Sequence, residues 1–159
     1  MSGETVILSP GDHADLREVM AVMEDSFDPR FGEAWTMAQC AGLLPLPGVW
    51  LTLARADEQV LGFGLARIVA GEAELLLLAV KSGGQRRGIG RILLEDFEEE
   101  AVARGAAKLH LEVREGNHAL SLYERAGFRL VGRRHHYYSG QNGDRYDALT
   151  LAKSSGNLR

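Results

Sequence analysis

Between Lys81 and Leu94 the chain reads KSGGQRRGIGRILL, preceded by the apolar run ELLLLAV and followed by an amphipathic segment. A strand, a glycine-rich bend and a helix in that order gather unpaired N–H groups and the positive end of a helix at one point, which suits an anion, often a phosphate. A nucleoside-triphosphate loop is excluded. Gly83 and Gly88 have the right separation, but Ile89 and Gly90 stand where a lysine and a hydroxyl residue are required. A dinucleotide fingerprint starting at Gly88-Ile89-Gly90 meets Leu93 at its third glycine and follows a run of strands instead of opening the chain. Two side chains able to move protons come next. In KLHLEV, the apolar Leu109, Leu111 and Val113 share one strand face and leave His110 and Glu112 on the other. Tyr123 sits in the middle of the helical segment LSLYERAGF. A cluster follows at His135, His136, Tyr137 and Tyr138, where alternation sets His135 with Tyr137 against His136 with Tyr138 and so disfavours an adjacent-pair metal site.

These residues need elements to hold them. Thr5 to Leu8 reads as a short strand closed by Ser9-Pro10-Gly11, and Asp12 as the cap of a helix through about Ser26 with Leu16, Val19, Met20 and Met23 on one face. Thr36 to Leu44 reads as a second helix, ended by Pro45 and Pro47. Val49 to Ala56, Gln59 to Val69 and Glu72 to Val80 form a meander. A helix from about Gly88 to Arg104 carries Ile89, Leu93, Phe97 and Ala101 inward, with Glu95, Asp96, Glu98, Glu99 and Glu100 outward. Then come a strand at Lys108 to Val113, a helix at Asn117 to Ala126, a strand at Phe128 to Tyr138, the Asn142-Gly143 turn and a returning strand at Arg145 to Ala152. The order β-α-α-β-β-β-α-β-α-β-β predicts an α/β fold with a mixed sheet, locally parallel where the crossover helix joins the 72–80 and 108–113 strands.

With 159 residues, no internal repeat and no dividing linker, the chain reads as one domain, residues 1–159, with a flexible tail from about residue 154. Cys40 is the sole cysteine, which precludes an internal disulfide and predicts a small buried hydrophobe. A net charge of −4 argues against general affinity for nucleic acid or anionic membrane, so Arg86, Arg87, Arg91, Arg133 and Arg134 need local explanations. With no signal-peptide pattern and no apolar run long enough to span a bilayer, the expected location is the cytoplasm.

Gln85-Arg86-Arg87-Gly88-Ile89-Gly90 satisfies Gln/Arg-x-x-Gly-x-Gly/Ala, which resembles the coenzyme A pyrophosphate loop of the GNAT superfamily of N-acetyltransferases. The strand ELLLLAV, the helix after the loop, the strand LHLEV and the segment NHALSLYERAGF resemble that superfamily as well, over roughly residues 72–138. LEVREGNHALSLYERAGFRLVGRRHHYY followed by GDRYDALTL is most similar to the RimI-type branch, which acetylates protein N-terminal amines, with Ser139 where the branch often carries proline.

The resemblance implies a sheet splayed between the 72–80 and 108–113 strands and an acetyl-CoA-dependent transfer to a primary amine without a metal. The cofactor would be held by the amides of Arg87, Gly88, Ile89, Gly90 and Arg91 beside Gln85 and Arg86, by the backbone of Leu78, Ala79 and Val80, and by Asn117 and Tyr123. The Val80 N–H would serve as an oxyanion donor. It further implies Glu112 as general base, acting through water or directly, and Tyr123 as proton donor to the departing thiolate, with thiol and phenol pKa values near ~8.5 and ~10. Tyr137 or Tyr138 would form part of the acceptor wall, and Glu72 and Glu74, with Glu33 or Asp28, would supply negative charge to an ammonium. Neutralising an α-amine of pKa near ~7.8 at pH ~7.4 costs about 0.5 kcal/mol, against about 4 kcal/mol for lysine, which favours a protein or peptide N-terminus as acceptor. A small amine, such as an antibiotic or a polyamine, is the alternative acceptor, and a non-catalytic acyl-CoA-binding module the alternative class. Oligomeric state is not legible in the sequence.

Overall fold

Among the residues described by the computed structural model, 5–83, 88–154 and 156, the elements run β1 (Ile7–Pro10), α1 (Leu16–Ser26), α2 (Met37–Leu43), β2 (Val49–Ala56), β3 (Gln59–Val69), β4 (Glu72–Val80), α3 (Ile89–Ala103), β5 (Lys108–Arg114), α4 (Ala119–Arg125), β6 (Arg129–Ser139) and β7 (Arg145–Ser154). The strands form one sheet in the order β1-β2-β3-β4-β5-β7-β6. Every neighbouring pair is antiparallel except β4 with β5, which the crossover through α3 makes parallel. Both hairpins of the meander close through two residues in the left-handed region, Asp57 and Glu58 in one and Ala70 and Gly71 in the other, a backbone whose twist matches the flanking strands.

Helices cover both faces. Leu16, Val19, Val22 and Met23 of α1 and Cys40 of α2 are buried against Leu51, Leu53, Phe63, Leu65, Leu77 and Ala79. On the opposite face Leu94, Phe97 and Ala101 of α3 and Tyr123 of α4 meet Leu75, Leu109, Leu111 and Val113. Ile89 and Leu93 form a smaller cluster with Ala54 and Val80. Among the described residues no helix is long and apolar enough to cross a membrane.

Several details differ from the sequence-based expectations. β1 lies at Ile7–Pro10, two residues later than expected, and Pro10 is accommodated because an edge strand needs no ladder donor on its free side. Val22, not Met20, completes the buried face of α1. Glu98 does not face outward: it is buried and paired with Lys153 of β7. Asp96 accepts a hydrogen bond from the Thr52 hydroxyl at 3.2 Å. Ser154, expected in the tail, ends β7 opposite Lys108. In β6 the pairs Arg134↔Ala148 and Tyr138↔Tyr146 enclose three residues against one, and His136 there has φ +54°. That bulge breaks the alternation expected of residues 135–138, and the Tyr137 and Tyr138 rings touch edge to face at 5.0 Å.

The pairing of β4 with β5 runs only from Glu72↔Lys108 to Leu75↔Leu111. On the other side of β4, Leu65 pairs with Leu77 and Ala66 with Leu75, which leaves Leu76 as an extra residue. Such a bulge bends its strand, and it lies immediately beyond the last β4–β5 pair. From there the two strands part.

Candidate active site

The parted strands open a cleft of about 1280 Å³. Its walls come from β4 (Leu76, Leu78, Val80), the start of α3 (Gly88, Gly90, Arg91), β5 (Glu112, Arg114), α4 (Leu122, Tyr123), the front segment before α2 (Asp28, Phe31, Glu33, Trp35) and β6 (Tyr137, Tyr138).

On β4, Lys81 donates its N–H to Leu61 O at 2.8 Å, so by alternation the N–H groups of Leu78 and Val80 face the side from which β5 has withdrawn. Ala79 is a correction. Its backbone faces β3 opposite Phe63 and its side chain is buried in the α1 core, so it presents nothing to the cleft. At α3, the Ile92 N–H bonds to Gly88 O, and the N–H groups of Ile89, Gly90 and Arg91 precede this first intrahelical donor and have no acceptor within the helix. The Ile89 side chain itself is in the core. Gly88 has φ +68°, and a Cβ on Gly90 would lie 3.4 Å from Leu122, narrowing the cleft. Gln85, Arg86 and Arg87 lie outside the described residues. Strand and helix-start amides with no backbone partner among the described residues, and glycines that leave room, fit an extended, phosphate-bearing cofactor.

Glu112 is buried down to 15 % side-chain exposure. Desolvation raises its pKa above the ordinary carboxylate value; Arg134 opposes this, Glu74 adds to it, and His110 and Thr150 oppose it. Arg134 Nε lies 2.8 Å from Glu112 Oε2. The approach is not aligned as a hydrogen bond, and Oε2 is sealed from solvent without such a partner. Tyr123 is buried at the cleft wall; desolvation, then the charge of Glu33, hold its phenol well above the ordinary value. Tyr138 is raised by the same two causes, with Glu112 adding to them. Glu74 is held low, first by His110 and then by Arg67 against desolvation.

The structure places other candidates differently. Glu72 stands at the paired end of β4, its carboxylate 4.0 Å from His110 and away from the cleft, because the strands have not yet parted there. Asn117 lines the cleft but both ends of its amide are engaged: Nδ2 donates to Glu33 Oε2 at 2.7 Å and Oδ1 accepts from the Ala119 N–H at 2.8 Å. Glu33 Oε1 also pairs with Arg114 Nε at 3.1 Å, both side chains about nine-tenths buried. Arg114 in turn stacks on Phe31 at 3.8 Å. This network, which clasps the front segment onto β5 and α4, joins residues 81 positions apart and has no local signal in the sequence. Arg134 was visible only as an arginine without an assigned task. Among the described residues no group of three or more His, Cys, Asp or Glu side chains is arranged to hold a metal ion.

The chain is similar to known proteins. The chain is 41 % identical over 98 residues to the ribosomal protein bS18-alanine N-acetyltransferase of Salmonella typhimurium, a stretch covering 61 % of this chain and 66 % of that one. It is 41 % identical over 97 residues to the enzyme of that name from Escherichia coli K12, covering 60 % and 65 %. The match thus spans just under two-thirds of the length of these curated relatives. The crystal structure of the ribosomal-protein-S18-alanine N-acetyltransferase from Escherichia coli superposes with a TM-score of 0.83 at 29 % identity over 94 % of both chains. The model of the acetyltransferase (GNAT) family matches residues 16–128, and with that match the chain belongs to this family.

Proposed function

We propose that this protein, acting as a single N-acetyltransferase domain, transfers an acetyl group from acetyl-CoA to the α-amine of a protein or peptide N-terminus, in the cytoplasm. The observation that carries the reading is the parting of β4 from β5 beyond Leu75↔Leu111, with free amides on one wall and Glu112 on the other. The names of the relatives support the acceptor class.

Bound acetyl-CoA supplies the acyl group as a thioester. The chain's own residues do the rest. The amides at the start of α3, with Gly88 and Gly90 leaving room for close approach, would hold the diphosphate. The Leu78 and Val80 N–H groups would pair with the extended arm, and the Val80 N–H would donate to an acyl oxygen. Asp28, Glu33, Glu74 and Glu112 are the carboxylates an incoming ammonium group would meet there, each already beside an arginine. Glu112, made more basic by burial, takes the amine proton directly or through water. The raised pKa of Tyr123 removes the near match of phenol and thiol acidities expected from the sequence, but it keeps the phenol protonated throughout the working pH range. Tyr123 therefore acts as a hydrogen-bond donor to the departing sulfur. Tyr138, with Tyr137 against it, walls the acceptor side.

A thermal-shift titration with acetyl-CoA, followed by turnover assays on short peptides and on free small amines, tests this. Stabilisation by acetyl-CoA together with turnover of peptides bearing a free N-terminus is the expected result. No stabilisation at saturating acetyl-CoA would overturn the reading, and stabilisation without turnover would mark a binding module. Turnover of antibiotic or polyamine amines alone would reassign the acceptor.

A further inference from the structure

We propose that Arg134 is a positioning residue for the transfer: it holds Glu112 ionised and aimed into the cleft while the acceptor site is empty, and yields that carboxylate to the incoming ammonium. The inference rests on Glu112 being the base. Two features carry it. The Glu112 side chain is only 15 % exposed while its partner Arg134 is 61 % exposed, so the pair joins a largely buried carboxylate to a largely solvated cation. Among the described residues the charge partner of Oε2, at 2.8 Å, approaches without an aligned hydrogen bond, so the oxygen keeps an unused acceptor direction that is uncovered when Arg134 moves away. A cation bound this way is easily exchanged for a better hydrogen-bonding one, and an acceptor ammonium offers three donors.

The surroundings leave Arg134 as the counter-charge that matters. Glu74 from β4 repels the Glu112 charge, His110 on β5 itself and Thr150 from β7 favour it, and Tyr138 from β6 stands close enough to feel it. Glu33 of the front segment adds further negative potential around Tyr138. Arg134 reaches Glu112 from the bulged part of β6, where the register shift follows residue 134, and its guanidinium rests 5.3 Å from the Tyr137 ring. That ring is a face on which the guanidinium can remain once displaced, since cation and aromatic face attract.

The test compares Arg134→Gln and Arg134→Lys with wild type, using the ratio of variant to wild-type rate so that the acceptor amine's own titration cancels. For Arg134→Gln the kcat/KM ratio for a peptide acceptor falls roughly three- to tenfold at the acid end of the profile and stays within about twofold at its alkaline plateau, because kcat/KM reports the free enzyme. The kcat ratio stays flat, since Arg134 has left Glu112 in the complex. Arg134→Lys restores much of the acid-side loss. A carbon-13 carboxyl NMR titration of Glu112 in the free protein gives an activity-independent reading: its midpoint moves to higher pH in Arg134→Gln. No movement of that midpoint, or parallel loss in kcat and kcat/KM, would overturn the proposal. Full activity of Glu112→Gln would sink the reading of Glu112 as base instead, whatever the NMR midpoint does.

Discussion

A carboxylate withdrawn from water binds a proton more tightly than one in solution, and at Glu112 burial outweighs the nearby Arg134 cation, so the group titrates above the ordinary carboxylate range. The sign of the consequence is fixed. In its proposed role as base Glu112 acts in the ionised form, so as pH falls through this raised pKa activity is lost at a higher pH than an exposed glutamate would give. Glu112→Gln removes that inflection and lowers kcat/KM by about 10²–10⁴-fold, while the acetyl-CoA-induced rise in melting temperature is unchanged. Steady-state pH profiles and thermal shifts on the same preparation check both halves. Tyr123 adds no alkaline inflection of its own in the working range, because burial and Glu33 keep it protonated there.

At the scale of elements, catalysis depends on pieces that meet end to end. The front segment between α1 and α2 lies against the β6–β7 turn: the Gln141 N–H donates to Pro29 O at 3.1 Å. Gly32 has φ +69°, and a Cβ there would run into the Ser139 carbonyl oxygen. Backbone, not a flexible side chain, is the obstacle, so the segment itself must shift. Gly32→Ala therefore carries at least the ~1–2 kcal/mol cost of a left-handed non-glycine residue and displaces the acceptor wall. The expected outcome is a lower melting temperature and a several-fold higher KM for peptide acceptor, with KM for acetyl-CoA near wild type. The cofactor side, at the start of α3, belongs to a different part of the cleft.

Across the whole molecule, the core under α3 and α4 packs the paired ends of β4 and β5 through Ala73, Leu75, Leu109 and Leu111, while the core under α1 and α2 takes β4 beyond the last pair, through Leu77 and Ala79. The Glu33–Arg114–Asn117 network closes the open end by tying the front segment to β5 and α4. Removing one partner of a buried ion pair leaves the other charge uncompensated, so Glu33→Gln is expected to cost about 3 kcal/mol. Urea denaturation followed by tryptophan fluorescence measures this, Trp35 lying on the same segment. A change below about 1 kcal/mol would mean that the Phe31 ring and the Glu115 carbonyl satisfy Arg114 without it.

What the sequence determined by itself was local. The bounds of β2, β3 and β4, the four-residue spacing that buries Ile89, Leu93, Phe97 and Ala101 and the face on which Glu112 lies follow from turn residues and from periods of two or about four acting within one element, and the burial of Cys40 from its being a small apolar side chain. The order of those elements then required a parallel crossover. Tertiary structure decided the rest. Leu76 becomes a bulge only because β3 pairs out of step with β4. The 134–138 bulge, which sets Tyr137 against Tyr138, exists only in register with β7. Glu98 turns inward because Lys153 waits there, and Glu33 and Arg134 find partners far along the chain. Periodicity records which side of an element is apolar, but not which distant charge will meet a polar side chain once that side is buried.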